Sequence, residues 1–230
     1  MNVAVRVKNL SLAVGGFRLQ NISLDLYENE IVAIIGKTGS GKTLLLESIA
    51  GVYEKHQGEI FIGEKEISQI PLGDRGIGFL YQDYGLFEHM TVEKNIGYGL
   101  KMKGEDKSNI GEKVRKMAET MGIKDCLKRY PATLSGGEKQ RTALGRALIL
   151  NPRILLLDEP FSAMDPLTKK KMQQEILRIK DEFKCTILFV THDYTEVENL
   201  ASRVAIMCEG ILHAMEDTTN VCLYDKQEIN

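Results

Sequence analysis

Val3, Val5 and Val7 alternate with polar residues, and Ile22, Leu24 and Leu26 repeat the pattern. This period-two spacing predicts strands with one face in a core. Gly15 and Gly16 mark the turn between them. Residues 31–35 are apolar throughout, as in a strand buried on both faces of a mostly parallel sheet. A glycine-rich stretch follows, then a helical run over 44–50 that Gly51 stops. Residues 59–62 and 77–80 predict further strands. Between 85 and 151 the period changes. Val114, Met117, Ala118 and Met121 fall at i, i+3, i+4 and i+7, with Gly122 as a stop, so this stretch reads as helical with its methionine stripe in the core. After Pro152, strands over 154–157, 186–190 and 204–207 alternate with a helix that carries Met172, Ile176 and Ile179 on one face. Such alternation predicts an α/β fold with a parallel sheet.

The chain has 230 residues, which suits one domain over 1–230 with a helical subdomain inserted at 86–150. Apolar residues make up 43% and charged residues 27%, ordinary proportions for a globular protein. Thirty basic residues against 32 acidic give a net charge of −2, and no Lys/Arg block points to nucleic acid as a partner. Cys126, Cys185, Cys208 and Cys222 are isolated from one another. They predict buried free thiols in a reducing compartment, not a zinc site. Arg6 and Lys8 interrupt the N-terminus where a secretion signal would be apolar. The longest apolar runs are too short to cross a bilayer. A cytoplasmic protein that reaches a membrane only through a partner is expected. The polar, weakly patterned last 20 residues leave no room for a second domain.

Candidate chemistry begins at the glycine-rich stretch. Gly36, Lys37, Thr38, Gly39, Ser40, Gly41, Lys42 and Thr43 fit the P-loop pattern, and they lie after a predicted strand and before a predicted helix. The glycines let backbone N–H groups turn toward phosphate oxygens, and the helix start adds its positive dipole end. Lys42 is the point charge for the β- and γ-phosphates of ATP, and the Thr43 hydroxyl is the expected Mg²⁺ ligand. A chance lysine in a glycine turn would not explain the flanking strand and helix. The apolar strand 154–157 ends in Asp158 and Glu159. Neighbours in extended chain point opposite ways, so the two carboxylates can divide the work. Asp158 would hold Mg²⁺, directly or through water, and Glu159 would act as general base on the attacking water. An acidic helix cap is the simpler reading of this pair alone; the P-loop in the same chain displaces it.

The segment Leu134, Ser135, Gly136, Gly137, Glu138 has capping-box spacing between Ser135 and Glu138. Capping alone does not require two glycines in a first helical turn, which cost about 1 kcal/mol each relative to alanine. Close approach of backbone to an anion does require them. Because the chain's own P-loop already cradles its phosphates, Ser135 and Gly137 are expected to serve the γ-phosphate bound by a second copy.

With these motifs in this order, the chain resembles the ATP-binding subunits of ABC transporters over nearly its whole length. The resemblance implies a P-loop NTPase fold with a mostly parallel core sheet, an N-terminal antiparallel β subdomain and an inserted helical subdomain. It implies that Gln82 senses the γ-phosphate and Mg²⁺ and links to membrane subunits. Ser162, Ala163, Met164 and Asp165 would cross a dimer interface, and His192 would contact the γ-phosphate. Its position at the end of a strand favours function, a support that His56, His89 and His213 lack. The family stacks adenine on an aromatic residue near position 14. Here either Phe17 swings in, or Val14 makes a weaker apolar contact. Residues 81–100, with Tyr84 and Phe87, resemble importer subunits that form a groove for a helix of a permease. The segments 14–26, 36–51 and 76–87 are similar to molybdate/tungstate importers, although an ATPase subunit does not touch the cargo oxyanion.

The resemblance therefore implies a homodimer closed by ATP, peripheral on the inner face of the cell membrane through permease subunits and served indirectly by a substrate-binding protein. The C-terminal regulatory barrel common in such subunits is not expected. Two other classes compete. A soluble ABC-type ATPase of DNA or ribosomes would carry coiled-coil inserts, paired ATPase domains or basic surfaces. A P-loop kinase would leave the glycine-rich helix start at 135 without a task.

Overall fold

The computed structural model of the protein describes residues 2–218 except Ala163 and Ala214. Two long strands open the chain, β1 (Val3–Val14) and β2 (Phe17–Tyr27), and pair antiparallel. The strand β3 (Ile31–Ile35) leads directly into the P-loop and helix α1 (Lys42–Ala50). The next strands, β4 (Gln57–Ile62) and β5 (Lys65–Glu66), complete a four-stranded antiparallel sheet in the order β2-β1-β4-β5. After β6 (Ile77–Leu80) come four helices: α2 (Val92–Ile96), α3 (Tyr98–Met102), α4 (Lys107–Thr120) and α5 (Gly136–Leu148). Strand–helix alternation then resumes with β7 (Ile154–Asp158), α6 (Pro166–Phe183), β8 (Thr186–Thr191), α7 (Tyr194–Leu200) and β9 (Arg203–Cys208). Two short strands, β10 (Ile211–Leu212) and β11 (Glu216–Asp217), both pair antiparallel with β9.

The central sheet runs β10-β9-β3-β8-β7-β6, and its strands β9, β3, β8, β7 and β6 are mutually parallel. Their continuous apolar sequences follow from burial on two faces. Ile31, Ala33 and Ile35 of β3, Leu155 and Leu157 of β7, and Ile187 and Phe189 of β8 enter one core with the methionine stripe of α4 and with α5, α6 and α7. Val32, Ile34, Ile154, Leu156, Leu188 and Val190 enter a second core with α1 and the antiparallel sheet. Parallel strands end together. The loops after β3, β6, β7 and β8 therefore gather at one carboxyl edge of the sheet, where ligand sites of open α/β folds lie.

Polar groups fix the loop between β6 and α2. Asn95, fully buried, accepts from the Phe87 N–H at 2.9 Å and donates to the carbonyls of Phe87 and Met90 at 3.1 Å each. Arg146 donates to the carbonyls of Gly85 (2.7 Å) and Tyr84 (3.0 Å). Helix α5 begins with a complete capping box: Ser135 Oγ accepts from the Glu138 N–H at 3.3 Å, and Glu138 Oε2 accepts from the Ser135 N–H at 2.7 Å. The other Glu138 oxygen accepts from Arg129 Nη1 at 3.0 Å and from the Cys126 thiol at 3.1 Å.

One expectation is corrected. Cys126 and Cys185 are buried, but Cys208 is exposed, because β9 ends there at the turn into β10. Cys222 and Ala163 lie outside the described residues.

The backbone bond from Ser135, and after it those from Cys126 and the Ser135 hydroxyl, hold the Glu138 carboxyl at about 2, below its ordinary 4.5. A depressed carboxylate contributes stability that is present above its unfolded pKa and lost as pH falls through the folded one. Unfolding by urea at stepped pH should therefore show Glu138→Gln less stable than the wild type at neutral pH, with the two curves converging between pH 4.5 and about 2. Parallel curves through that window would remove the charge of Glu138 from the cap.

Candidate functional site

The P-loop wraps around its own lysine. Gly41 precedes α1 at φ 104°, and a Cβ there would lie 2.7 Å from the Phe17 ring, so the position admits only glycine. Gly36 is equally constrained, since a Cβ would meet the Met207 carbonyl at 2.2 Å. That contact, with the bond from the Gly210 N–H to the Ser40 carbonyl at 3.0 Å, backs the loop against the β9–β10 turn. Lys42 is buried, and its ammonium donates to the carbonyls of Gly36 (2.7 Å) and Lys37 (2.9 Å). Burial lowers its pKa, opposed by the nearby charges of Glu159 and Asp158.

The carboxylates come from the end of β7, one strand beyond β8 in the sheet. Asp158, the last residue of β7, is buried, and both its oxygens lie 3.0 Å from Thr43 Oγ1, which donates to them. Burial raises the Asp158 pKa, and the Thr43 hydrogen bond works against that shift. Glu159 follows at φ 43°, a left-handed conformation that costs a non-glycine residue about 1 kcal/mol or more. The turn splits the pair: Asp158 faces Thr43, while Glu159 Oε1 lies 3.8 Å from Lys42 Nζ and Oε2 lies 3.3 Å from His192 Nδ1. His192 stands just past the end of β8 with about half of its side chain exposed.

Gln82 lies two residues beyond β6, exposed in a turn at the same carboxyl edge. A cavity of about 570 Å³ runs beside the loop, lined by Phe17, Arg18, Gly36, Lys37, Thr38, Gly39 and Ser40, with Met207, Cys208 and Glu209 opposite. Phe17 is on its wall; Val14 is not among the lining residues and is exposed. Ser135 and Gly137 stand apart from this cluster. Among the described residues, no hydrogen bond or ion pair joins either of them to the P-loop, and Ser135 is exposed at its helix start. Asp165 caps α6, accepting from the N–H groups of Leu167 and Thr168 at 3.1 Å.

The sequence reading missed the residues that support these groups. Gln140 is fully buried in α5 and donates to the Pro160 carbonyl at 2.8 Å, which ties that helix to the turn after Glu159. Lys169 bridges Asp193 and Glu196 at 2.7 Å each. The spacing of Asp193 and Glu196 matches a capping box and was a usable signal, whereas Lys169 sits in a run of three lysines that reads as a solvated face.

Residues 19–162 match the family described as ABC transporter. The molybdate/tungstate import ATP-binding protein WtpC of Pyrococcus horikoshii is 42% identical over 97% of this chain and 65% of its own length. The sulfate/thiosulfate import ATP-binding protein CysA of Halalkalibacterium halodurans is 41% identical over 90% of this chain and 60% of its own. The chain thus spans less than two thirds of the length of these relatives. An ATP-binding cassette solved as a dimer in a post-hydrolysis state with ADP and Pi superimposes with a TM-score of 0.81, at 28% identity over 93% of this chain and 98% of that one. Motif order, a parallel sheet with the P-loop and both carboxylates on one edge, and the match over most of the sequence lead to one conclusion: the chain belongs to the ABC transporter family.

Proposed function

We propose that this chain binds and hydrolyses ATP as a head-to-tail homodimer and couples that cycle to an importer permease. One observation carries the reading: a single carboxylate, Glu159, lies between the P-loop ammonium and an exposed histidine, 3.8 Å from Lys42 Nζ and 3.3 Å from His192 Nδ1. A base in that position faces the place where a γ-phosphate would rest on Lys42.

The loop Gly36–Thr43 would hold the phosphates with its N–H groups and Lys42, and Phe17 would contact the base. Thr43 and Asp158 offer a hydroxyl and a carboxylate 3.0 Å apart. Among the described residues no cluster of three or more His, Cys, Asp or Glu side chains could hold a metal. Such a sparse set of hard oxygens suits Mg²⁺, which completes its shell with phosphate and water. Gln82 stands at the same edge and could complete that shell. Bound there, Mg²⁺ would neutralise charge developing on the phosphate oxygens. Glu159 takes the proton of the attacking water, and His192 and Gln82 orient the γ-phosphate. Ser135, exposed at a capped helix start, and half-buried Gly137 bind the γ-phosphate held by the partner, and Asp165 ends the segment that crosses the interface. Burial lowers the Lys42 pKa, and the charges of Glu159 and Asp158 beside it oppose that shift.

Closure of the dimer would move the permease through the segment after Gln82, which the Asn95 and Arg146 bonds hold in shape. Among the described residues no helix is long and apolar enough to cross a membrane, consistent with peripheral attachment at the inner face through such subunits. Molybdate or tungstate is the proposed cargo, delivered by a substrate-binding protein. Sulfate is the alternative, because sulfate/thiosulfate relatives match at nearly the same identity.

In steady-state assays Glu159→Gln should lose about 100-fold or more in kcat, the scale of general-base catalysis, and still bind ATP. Hydrolysis at the wild-type rate would overturn the base assignment. On that slow background, sedimentation velocity with ATP should show a dimer that Ser135→Arg abolishes without weakening ATP binding by the monomer; an undisturbed dimer would reject the shared site. Membrane vesicles holding the assembled transporter should take up labelled molybdate or tungstate in preference to sulfate. The reverse preference would reassign the cargo, and uptake of no oxyanion would reject the oxyanion reading.

A further inference from the structure

The turn after β7 and the turn after β8 carry Glu159 and His192, and a network of residues without an assigned role joins them. Glu196, in the first turn of α7, is 3% exposed. Its Oε2 accepts from the Thr191 hydroxyl at 2.5 Å, and the same hydroxyl oxygen accepts from the Asp193 N–H at 3.0 Å. The other Glu196 oxygen lies 2.7 Å from Lys169 Nζ, which also lies 2.7 Å from Asp193 Oδ2. Both neighbours of His192 in the chain are thereby fixed. Lys169 is anchored in turn, because its N–H donates to the Asp165 carbonyl at 2.9 Å at the start of α6.

A carboxylate as buried as Glu196 requires a cation or several donors. Lys169 supplies the cation from a different helix. Were the pair there only to cap α7, Asp193 alone would suffice, since its Oδ1 already accepts from the Thr195 N–H at 2.9 Å. The bridge instead makes the 191–193 turn and the start of α6 one rigid piece, with the imidazole of His192 projecting from it toward Glu159. We propose that Lys169 and Glu196 are positioning residues that hold His192 at Glu159 for hydrolysis. The proposal rests on the ATPase reading given above. Neither side chain touches the nucleotide; both act through the histidine.

The test is a double-mutant cycle on ATP hydrolysis by the full chain. Lys169→Met should lower kcat about 10- to 100-fold, the range for displacing a reacting group by a fraction of an ångström to 1 Å. KM and nucleotide affinity should stay within about twofold, and Lys169→Arg should restore most of the rate. In a His192→Ala background, Lys169→Met should have no further effect. Because Lys169→Met takes the cation from buried Glu196, Lys169→Met/Glu196→Gln, which removes both charges together, is assayed beside it and should show the same kcat loss. Equal losses with and without His192, or a loss in KM alone, would overturn the proposal. A His192→Ala enzyme with the wild-type rate would overturn the reading beneath it instead.

Discussion

A buried ammonium organises the candidate site. Lys42 would be costly to bury without partners, and the fold offers it two loop carbonyls and one carboxylate. Each arrives from a different constraint. The carbonyls belong to the P-loop, which turns into α1 through Gly41 in a conformation that other residues resist. The carboxylate arrives because β7 lies one strand beyond β8, which is itself the neighbour of β3. Asp158 is the counterpart: burial discourages its charge, and the Thr43 hydroxyl supports it. Opposite charges in a poorly solvated corner strengthen one another, so the loop, the strand ends and the turn at Glu159 stabilise a common arrangement.

Much of this was legible in the chain, for a physical reason. Strands buried on both faces read as unbroken apolar runs, and 31–35, 77–80, 154–157 and 186–190 each fall within a strand of the structure. The P-loop is local, so its residues identify themselves by spacing. The 3.6-residue period of Val114, Met117 and Ala118 places them on the buried face of α4, with Met121 just past its end. Less local features were hidden. The exposure of Cys208 depends on where β9 stops. The partnership of Lys169 with Glu196 joins positions 27 residues apart across two helices, and no spacing rule covers it. The left-handed turn at Glu159 was also unreadable, since glutamate gives no sign of it. Phe17 and Val14 could not be separated by sequence, whereas the fold puts Phe17 on the cavity wall.

Apart from buried Lys42 and Asp158, polar support and candidate chemistry divide between different residues here. Asn95, Gln140, Glu196 and Thr191 are buried and hold backbone or one another. His192, Gln82, Ser135 and Asp165 are exposed around the same edge and at the start of α5. Hydrogen bonds among buried polar groups make an interior rigid, and exposed groups remain available to a ligand or a second copy. The relatives match this chain over about two thirds of their length or slightly less, and both named importers carry tetrahedral oxyanions.

The bond from Gln140 to the Pro160 carbonyl has a further consequence. It fastens the helix that presents Ser135 outward to the turn that presents Glu159 inward. In the head-to-tail pair proposed above, a shift at one protomer's Glu159 would then reach, through this bond, the helix start that faces its neighbour's nucleotide. One carboxamide would give the paired sites a mechanical link that neither strand nor loop supplies by itself.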